Sequence, residues 1–414
     1  MTFYLLFVFF MALCLWMLNR VPFSKKSGLP TITLSIFFVI KVIAGVLLGL
    51  ISLKYYPDND YWNLNIEGAK EFIHLKKDPW DFFTDIFHSH YQNKYGHFLD
   101  AAGSYWNDLR YNILIKIVAI CNLISGGNYY INTLIFDFVG FWGLIALFRV
   151  FNHLFPGKKN IIALGCFLLP STLYFCSGLQ KDLVVMTSLC FLCYGLYFNS
   201  IRGNRIKNIL LIIGSFITIL LMRNFLAIAI LPPFLAYVIS LRTKKSAIYI
   251  FSGIYFAALI FILITEIAYP KFNPLIYIVN RQTAFLALPK AGSQIAINIL
   301  EPNLISFIKN LPQALNHVFL RPYLWENKNL FSLLLSFENV IYFICLPILF
   351  FKALQLNLFK NPFILFLISF SIGFFLIIGY TVPNFSSIIR YKSLFLPFII
   401  TPFLATFSFK NRGL

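Results

Sequence analysis

The short run Pro57-Asp58-Asn59-Asp60-Tyr61-Trp62 sets two carboxylates a few residues beyond a long apolar stretch that ends at Leu53. A carboxylate at that depth can take a proton from a hydroxyl, the work of a general base, although Pro-Asp-Asn-Asp is also good turn chemistry. Isolated cations stand at the ends of other apolar stretches: Lys181, Arg223, Arg321, Arg390 and Lys392. They ask for an anion, which a lipid phosphate at the membrane surface supplies, and arginine suits bidentate phosphate recognition. The competing readings are an ion pair of Lys181 with Asp182 or Asp137, and snorkelling of Arg390 to the headgroups. Arg321-Pro322-Tyr323-Leu324-Trp325-Glu326 brings a cation, two aromatics and an acid into one short run, which fits a sugar or phosphate contact or an aromatic belt with a charge pair. Trp106, with Asp100, suits a sugar face or interfacial anchoring. Asp108 heads a helical pattern, where it reads as a cap or as a second orienting acid.

Composition decides what positions these residues. The chain is 59% hydrophobic, and its 34 Lys+Arg and 15 Asp+Glu make only 12% of 414 residues charged. A soluble surface needs about a quarter, so a polytopic membrane protein is expected. The net charge of +19 does not point to nucleic acid, because the cations lie in short knots between apolar runs and not along one exposed face. All seven cysteines lie in apolar segments and read as small core residues. The run from Phe3 to Leu18 lacks a basic leader and a cleavage site and reads as a retained span.

Windows long enough to cross about 30 Å of hydrocarbon predict about eleven transmembrane helices, near 3–18, 31–53, 130–150, 160–178, 181–199, 207–222, 224–240, 246–268, 331–351, 361–380 and 390–408. With the N-terminus outside, the basic knots at Arg20, Lys25, Lys26; Arg149, Lys158, Lys159; Arg202, Arg205, Lys207; Arg242, Lys244, Lys245; Lys352, Lys360; and Lys410, Arg412 all face the cytoplasm. No acid accompanies them. The expectation is one membrane domain over 1–414 with two extracytoplasmic caps, 54–129 and 269–330. The first holds most of the acids, together with His74, His88, His90 and His97. Ile66, Ala69, Phe72 and Ile73 predict one surface helix there. Ile113, Leu114, Ile117, Val118 and Cys121, stopped by Gly126-Gly127-Asn128, predict a second, juxtamembrane one. Lys41 falls in mid-span, where an unpaired charge costs roughly 2.5–3.5 kcal/mol, so a partner is required and Asp137 is the expected one. His88-Ser89-His90 with Asp85 and His97 is too loosely spaced to predict a metal, and no other cofactor is expected.

The order of these pieces, with Gly126-Gly127-Asn128, the turn Phe155-Pro156-Gly157-Lys158-Lys159 and Leu169-Pro170-Ser171-Thr172-Leu173-Tyr174-Phe175 before Gln180-Lys181-Asp182, resembles the GT-C class of polyprenyl-phosphate-sugar glycosyltransferases over roughly residues 31–240. The resemblance implies a GT-C-like fold, an aspartate just after the first core span as catalytic base, and in some members a divalent ion. Asp60 or Asp58 fills that place. It implies a donor sugar on a polyprenyl phosphate, a cell-envelope glycan or lipid acceptor, and chemistry on the outer face of the cytoplasmic membrane. On this reading Lys181, Arg223, Arg321 and Arg390 hold the departing phosphate, with Asp108, Trp106 and Trp325 as further substrate contacts. The chain departs from the class in an extra first span and in lacking an Asp-Glu pair. Its C-terminal part resembles O-antigen polymerases, so a repeat-unit polymerase that leans on arginines is the alternative. A non-catalytic lipid or glycan transporter, which would show broken helices at mid-membrane, is the third.

Overall fold

The computed structural model describes residues 2–55, 59–87, 104–203, 205–289, 292–326 and 330–407. Among them the chain is helical and has no strand beyond an isolated bridge, Gln294 to Asn384. The helices are α1 (Thr2–Arg20), α2 (Pro22–Lys25), α3 (Thr31–Tyr55), α4 (Asp60–Lys77), α5 (Pro79–Thr84), α6 (Tyr105–Ser125), α7 (Tyr129–Leu154), α8 (Lys159–Phe167), α9 (Pro170–Phe175), α10 (Lys181–Arg202), α11 (Ile206–Met222), α12 (Asn224–Arg242), α13 (Ala247–Ala268), α14 (Pro274–Leu286), α15 (Leu304–Leu315), α16 (Leu330–Gln355), α17 (Pro362–Thr381), α18 (Phe385–Ser393) and α19 (Leu396–Leu404). Eight of those described are long and apolar enough to cross a membrane, namely α1, α3, α7, α10, α12, α13, α16 and α17. The protein is an all-α, multi-pass membrane protein.

Three expected spans differ. The stretch 160–178 is two short helices, α8 and α9, separated at Leu168 and Leu169. Pro170 opens α9; proline has no N–H to give and pushes the residue before it out of helix. The stretch 390–408 lies in α18 and α19, which meet at a 60° bend, with proline again in the first turn of the second helix. The stretch 207–222 is a single 17-residue helix, α11. Mean hydropathy does not register a proline break, so a broken crossing and a continuous one look alike in sequence.

The chain forms two compact units, Met1–Asn224 and Phe225–Leu414. In the first, α3 runs antiparallel to α7: Phe38 meets Phe141, Gly45 meets Asp137 and Thr133, and Gly49 meets Tyr129. α10 runs parallel to α7, with Leu183 on Gly140 and Thr187 on Gly143. Parallel neighbours require a return between them, and α8 with α9 supplies it. α11 then comes back antiparallel to α10, Ile212 lying on Gly195. Glycines recur at these contacts for a physical reason. Lipid removes the hydrophobic drive between helices, so close backbone approach and hydrogen bonds must replace it.

The connection from α3 to α7 holds the two helices expected from periodicity. Asn59 caps α4, its side chain accepting from the N–H groups of Tyr61 and Trp62 at 3.1 and 3.0 Å. Ser104 caps α6, accepting from Asn107 N at 3.2 Å, and Gly126 ends it in the left-handed conformation at φ 61°. α4 and α6 pack antiparallel: Asn65 donates to Gly127 O, Gly68 lies on Val118, and Asn122 donates to Gly68 O.

In the second unit α17 is central. Tyr380 donates to Phe307 O of α15 at 2.8 Å, Gln282 of α14 donates to Tyr380 O at 2.8 Å, and Phe370 and Phe374 pack on Phe395. The second expected cap region contains α14 and α15.

Candidate functional site

Trp106 and Arg223, both singled out from sequence, are tied into one end of the first unit, on helix ends that also carry Asp108 and Lys181. The indole N–H of Trp106 donates to Leu220 O and Leu221 O at 3.2 Å, and Arg110 reaches Met222 O at 3.4 Å. These are carbonyls of the last turn of α11, which has no helical donors left to meet them. The next residue, Arg223, forms a buried ion pair with Asp182 in the first turn of α10. Lys181, partly exposed, precedes Asp182. Asp108 lies in the first turn of α6, one turn from the Ser104 cap; the cap itself is therefore Ser104, and Asp108 contributes to the favourable end of the helix dipole. The start of α6, the start of α10 and the end of α11 thus come together; Trp106 and Arg223 are tied into that junction, and Asp108 and Lys181 lie on the same helix ends. Asp182 is the partner of Arg223, a pairing that only tertiary structure reveals.

Asp60 is elsewhere. It lies exposed in the first turn of α4, beside an aromatic group in which Trp62 stacks on Tyr129 at 4.0 Å and 12° and meets Tyr130 edge-on at 6.0 Å. Trp62 Nε1 donates to Gly49 O at 3.0 Å, fixing the group to the end of α3. Because α4 and α6 are antiparallel, Asp60 and Trp106 sit at opposite ends of the pair, about 30 Å apart at 1.5 Å per helical residue. Asp58, Asp100, His88, His90 and His97 lie outside the described residues.

Between these ends is a charged knot that spacing did not reveal. Lys116 Nζ, buried on α6, lies 3.0 Å from Glu71 Oε2 and 3.7 Å from Asp85 Oδ2, donates to Phe82 O at 2.9 Å and stands 4.3 Å over the Phe82 ring. His74 Nε2 is 2.8 Å from Asp81 Oδ2, and its Nδ1 is 3.4 Å from Glu71. The bond to Asp81 raises the His74 pKa, with Glu71 adding to it, while burial and Lys116 pull it down. Glu71 and His74 are one turn apart, a signal visible in sequence, but Asp81 and Lys116 come from other helices. Among the described residues, no group of three or more His, Cys, Asp or Glu is placed to hold a metal ion.

In the second unit, Arg321 Nε lies 3.4 Å from Glu326 Oε1, and the guanidinium stands 5.6 Å over Tyr323. Tyr323 stacks on Trp325 at 4.7 Å and 12°. Arg390 is on α18, two residues before Lys392, whose ammonium donates to Val318 O at 3.0 Å and Asn339 Oδ1 at 2.6 Å. The Asn339 amide reaches the carbonyls of Phe319, Leu320 and Arg321. Lys392 and Asn339 therefore tie the Arg321 segment to the helix that carries Arg390. Buried His317 precedes them; burial first, then Arg321, lowers its pKa, which favours the neutral ring.

The buried pair expected inside the spans is present. Lys41 Nζ is 3.3 Å from Asp137 Oδ1 and donates to Cys176 O at 2.6 Å and Ser177 Oγ at 3.0 Å. Gly178 N donates to the same Asp137 oxygen at 2.9 Å, from a backbone at φ +82° that glycine adopts without strain. The break after α9 thus folds its backbone around the ion pair, and a small cavity lined by Lys41, Cys166, Cys176, Thr172 and Met186 adjoins it.

No protein-family model, curated protein or solved structure matches the chain.

Proposed function

We propose that this is an integral membrane glycosyltransferase that moves a sugar from a polyprenyl-phosphate-linked donor to a cell-envelope glycan or lipid acceptor, on the extracytoplasmic side of the cytoplasmic membrane. The observation that carries the reading is the junction of the starts of α6 and α10 with the end of α11, which ties in Trp106 and Arg223 and has Asp108 and Lys181 on the same helix ends, from three helices distant in sequence. An indole, a carboxylate and cations are the groups that sugar and phosphate need. In this reading a carboxylate takes the acceptor hydroxyl's proton as its oxygen bonds to the anomeric carbon. The bond from that carbon to phosphate breaks, and cations stabilise the polyprenyl phosphate that leaves. Asp60, exposed beside Trp62, or Asp58 is the candidate base after α3, and Asp108 at the start of α6 is the alternative. Arg321 and Arg390 are candidate phosphate contacts within the second unit.

The test is sugar transfer by the full chain reconstituted with a radiolabelled polyprenyl-phosphate hexose and envelope glycan. Lys181→Gln should cut transfer by about a hundredfold, the scale of losing one charge-stabilising group. Asp58→Asn with Asp60→Asn, and Asp108→Asn alone, separate the two carboxylate sites: one should abolish transfer and the other leave it. Full activity in all three variants would rule the reading out.

One observation favours a second reading. The broken return α8–α9 sets one backbone carbonyl and one backbone N–H, Cys176 O and Gly178 N, against a buried Lys41–Asp137 pair, the kind of discontinuous helix that lines transport sites. Lipid-linked glycan moved across vesicles without any new glycosidic bond would support a transporter.

A further inference from the structure

Trp325 is 80% exposed, yet it is held in place. One face of its indole lies on Tyr323. Tyr323 is itself fixed at both ends: its hydroxyl donates to Asn316 Oδ1 at 2.6 Å and its N–H to Glu326 Oε2 at 3.0 Å. Glu326 N donates back to Tyr323 O at 3.1 Å. Arg321 closes the ring through Glu326 Oε1 and stands over Tyr323 on its own account. Every element of this turn orders an aromatic face and leaves it open to the surroundings.

We propose that Trp325 and Tyr323, rimmed by Arg321 and Glu326, form a carbohydrate-binding platform that stacks one pyranose ring of a glycan. In choosing a glycan as occupant this rests on the reading above, but the binding it describes needs no transfer. The chemistry of the rim selects the occupant. A pyranose has an apolar C–H face bordered by hydroxyls, so it covers an indole while its rim exchanges hydrogen bonds with a carboxylate and a guanidinium. Glu326 Oε2 accepts one bond, from Tyr323 N, and Oε1 lies 3.4 Å from Arg321 Nε in the ion pair, so both oxygens retain lone pairs for a ligand hydroxyl. A lipid chain would cover the same indole but strip water from the Arg321–Glu326 pair and return no hydrogen bonds, a net cost. Because Tyr323 and Trp325 are ordered before ligand arrives, little rotamer freedom remains to be lost on binding.

The experiment is saturation-transfer NMR on the full-length protein in nanodiscs, without donor lipid, using maltotriose and chitotriose as probes. At least one probe should bind saturably, with transfer strongest to the C–H protons of a single ring. Trp325→Phe should retain binding. Trp325→Leu, which keeps bulk but not the flat face, should weaken it about tenfold, a loss of 1.4 kcal/mol, as should Glu326→Gln for the rim. Thermal melting of each variant, unchanged from wild type, shows that the fold is intact. Failure of both probes to bind the wild type, or equal binding by Trp325→Leu, overturns the proposal. If Trp325→Leu alters only the seating of the protein in the bilayer and leaves sugar binding intact, the residue is a membrane anchor and the proposal is likewise overturned. Transfer activity enters none of these outcomes, so loss of the transferase reading would leave the binding result standing.

Discussion

Lys41 on α3 and Asp137 on α7 lie 3.3 Å apart with side chains 3% and 0% exposed, and the backbone after α9 supplies the remaining partners of both. Removing one member strands the other in a low-dielectric interior. Lys41→Met or Asp137→Asn alone should each cost about 3–5 kcal/mol of stability, whereas the double variant Lys41→Met with Asp137→Leu should recover most of that. Part of the loss should persist, because Gly178 N and Cys176 O lose their partners. Unfolding of the three variants in mixed micelles checks this. Additive losses would show that the two charges are not coupled.

The same helix pair depends on two glycines. A methyl group added at Gly45 would collide with Asp137 and with backbone at Gly178, and one at Gly49 would collide with the Tyr129 ring. Gly45→Ala should therefore destabilise by about 1–3 kcal/mol, the usual cost of overpacking, and more than Gly49→Ala, because a ring can tilt and backbone cannot. Gly253→Ala, where nothing lies within 4 Å, should leave the melting temperature unchanged or raise it slightly.

His74 predicts a pH dependence with a definite sign. Its pKa is raised above 6.5, first by Asp81 and then by Glu71, against burial and Lys116; the other charges on the elements around it are Asp60, Glu67, Lys70, Lys76 and Lys77 on α4, Asp78 and Asp85 flanking α5, and Asp108 and Arg110 on α6. Folding therefore favours the protonated ring. That contribution is fully present below 6.5, the unfolded value, and is lost as pH rises through the higher folded value. Amide protection factors across α4 and α5, which remove the intrinsic slowing of exchange in acid, should rise on acidification through this window in the wild type. In His74→Gln they should not respond.

Much of this arrangement was readable in sequence, for reasons that also mark where reading failed. Lys41 announced a partner because an unpaired charge in a span is costly, and Asp137 was the matching charge inside another span. The helices α4 and α6 announced themselves because apolar spacing and terminal residues are local. Arg223, by contrast, meets Asp182 from 41 residues away, and Lys116 meets Glu71 from 45; nothing in the local pattern chooses these partners over Lys181 or Lys70. The broken return was missed because hydropathy is summed over a window, while Pro170 acts on one peptide. The separation of Asp60 from Trp106 follows from the antiparallel packing of α4 on α6, which no single-helix pattern contains.

That separation makes the aspartates after α3 the most informative substitution. If a carboxylate there is the base, Asp58→Asn with Asp60→Asn removes the proton acceptor but leaves the fold, since the cap of α4 is Asn59 and not either acid. Transfer should then fall by about 10²–10⁴, the usual contribution of a general base, with donor binding unchanged. The expected readout is radiolabelled product per reconstituted protein, alongside donor retention on the same vesicles. A polymerase, which relies on arginines, would continue to lengthen glycan chains in the double variant and would instead stop with Arg321→Gln or Arg390→Gln. A fall of less than tenfold in the double variant would therefore move the chemistry away from the end of α3 and toward the cations, with Asp108 the carboxylate left to act among them in the first unit.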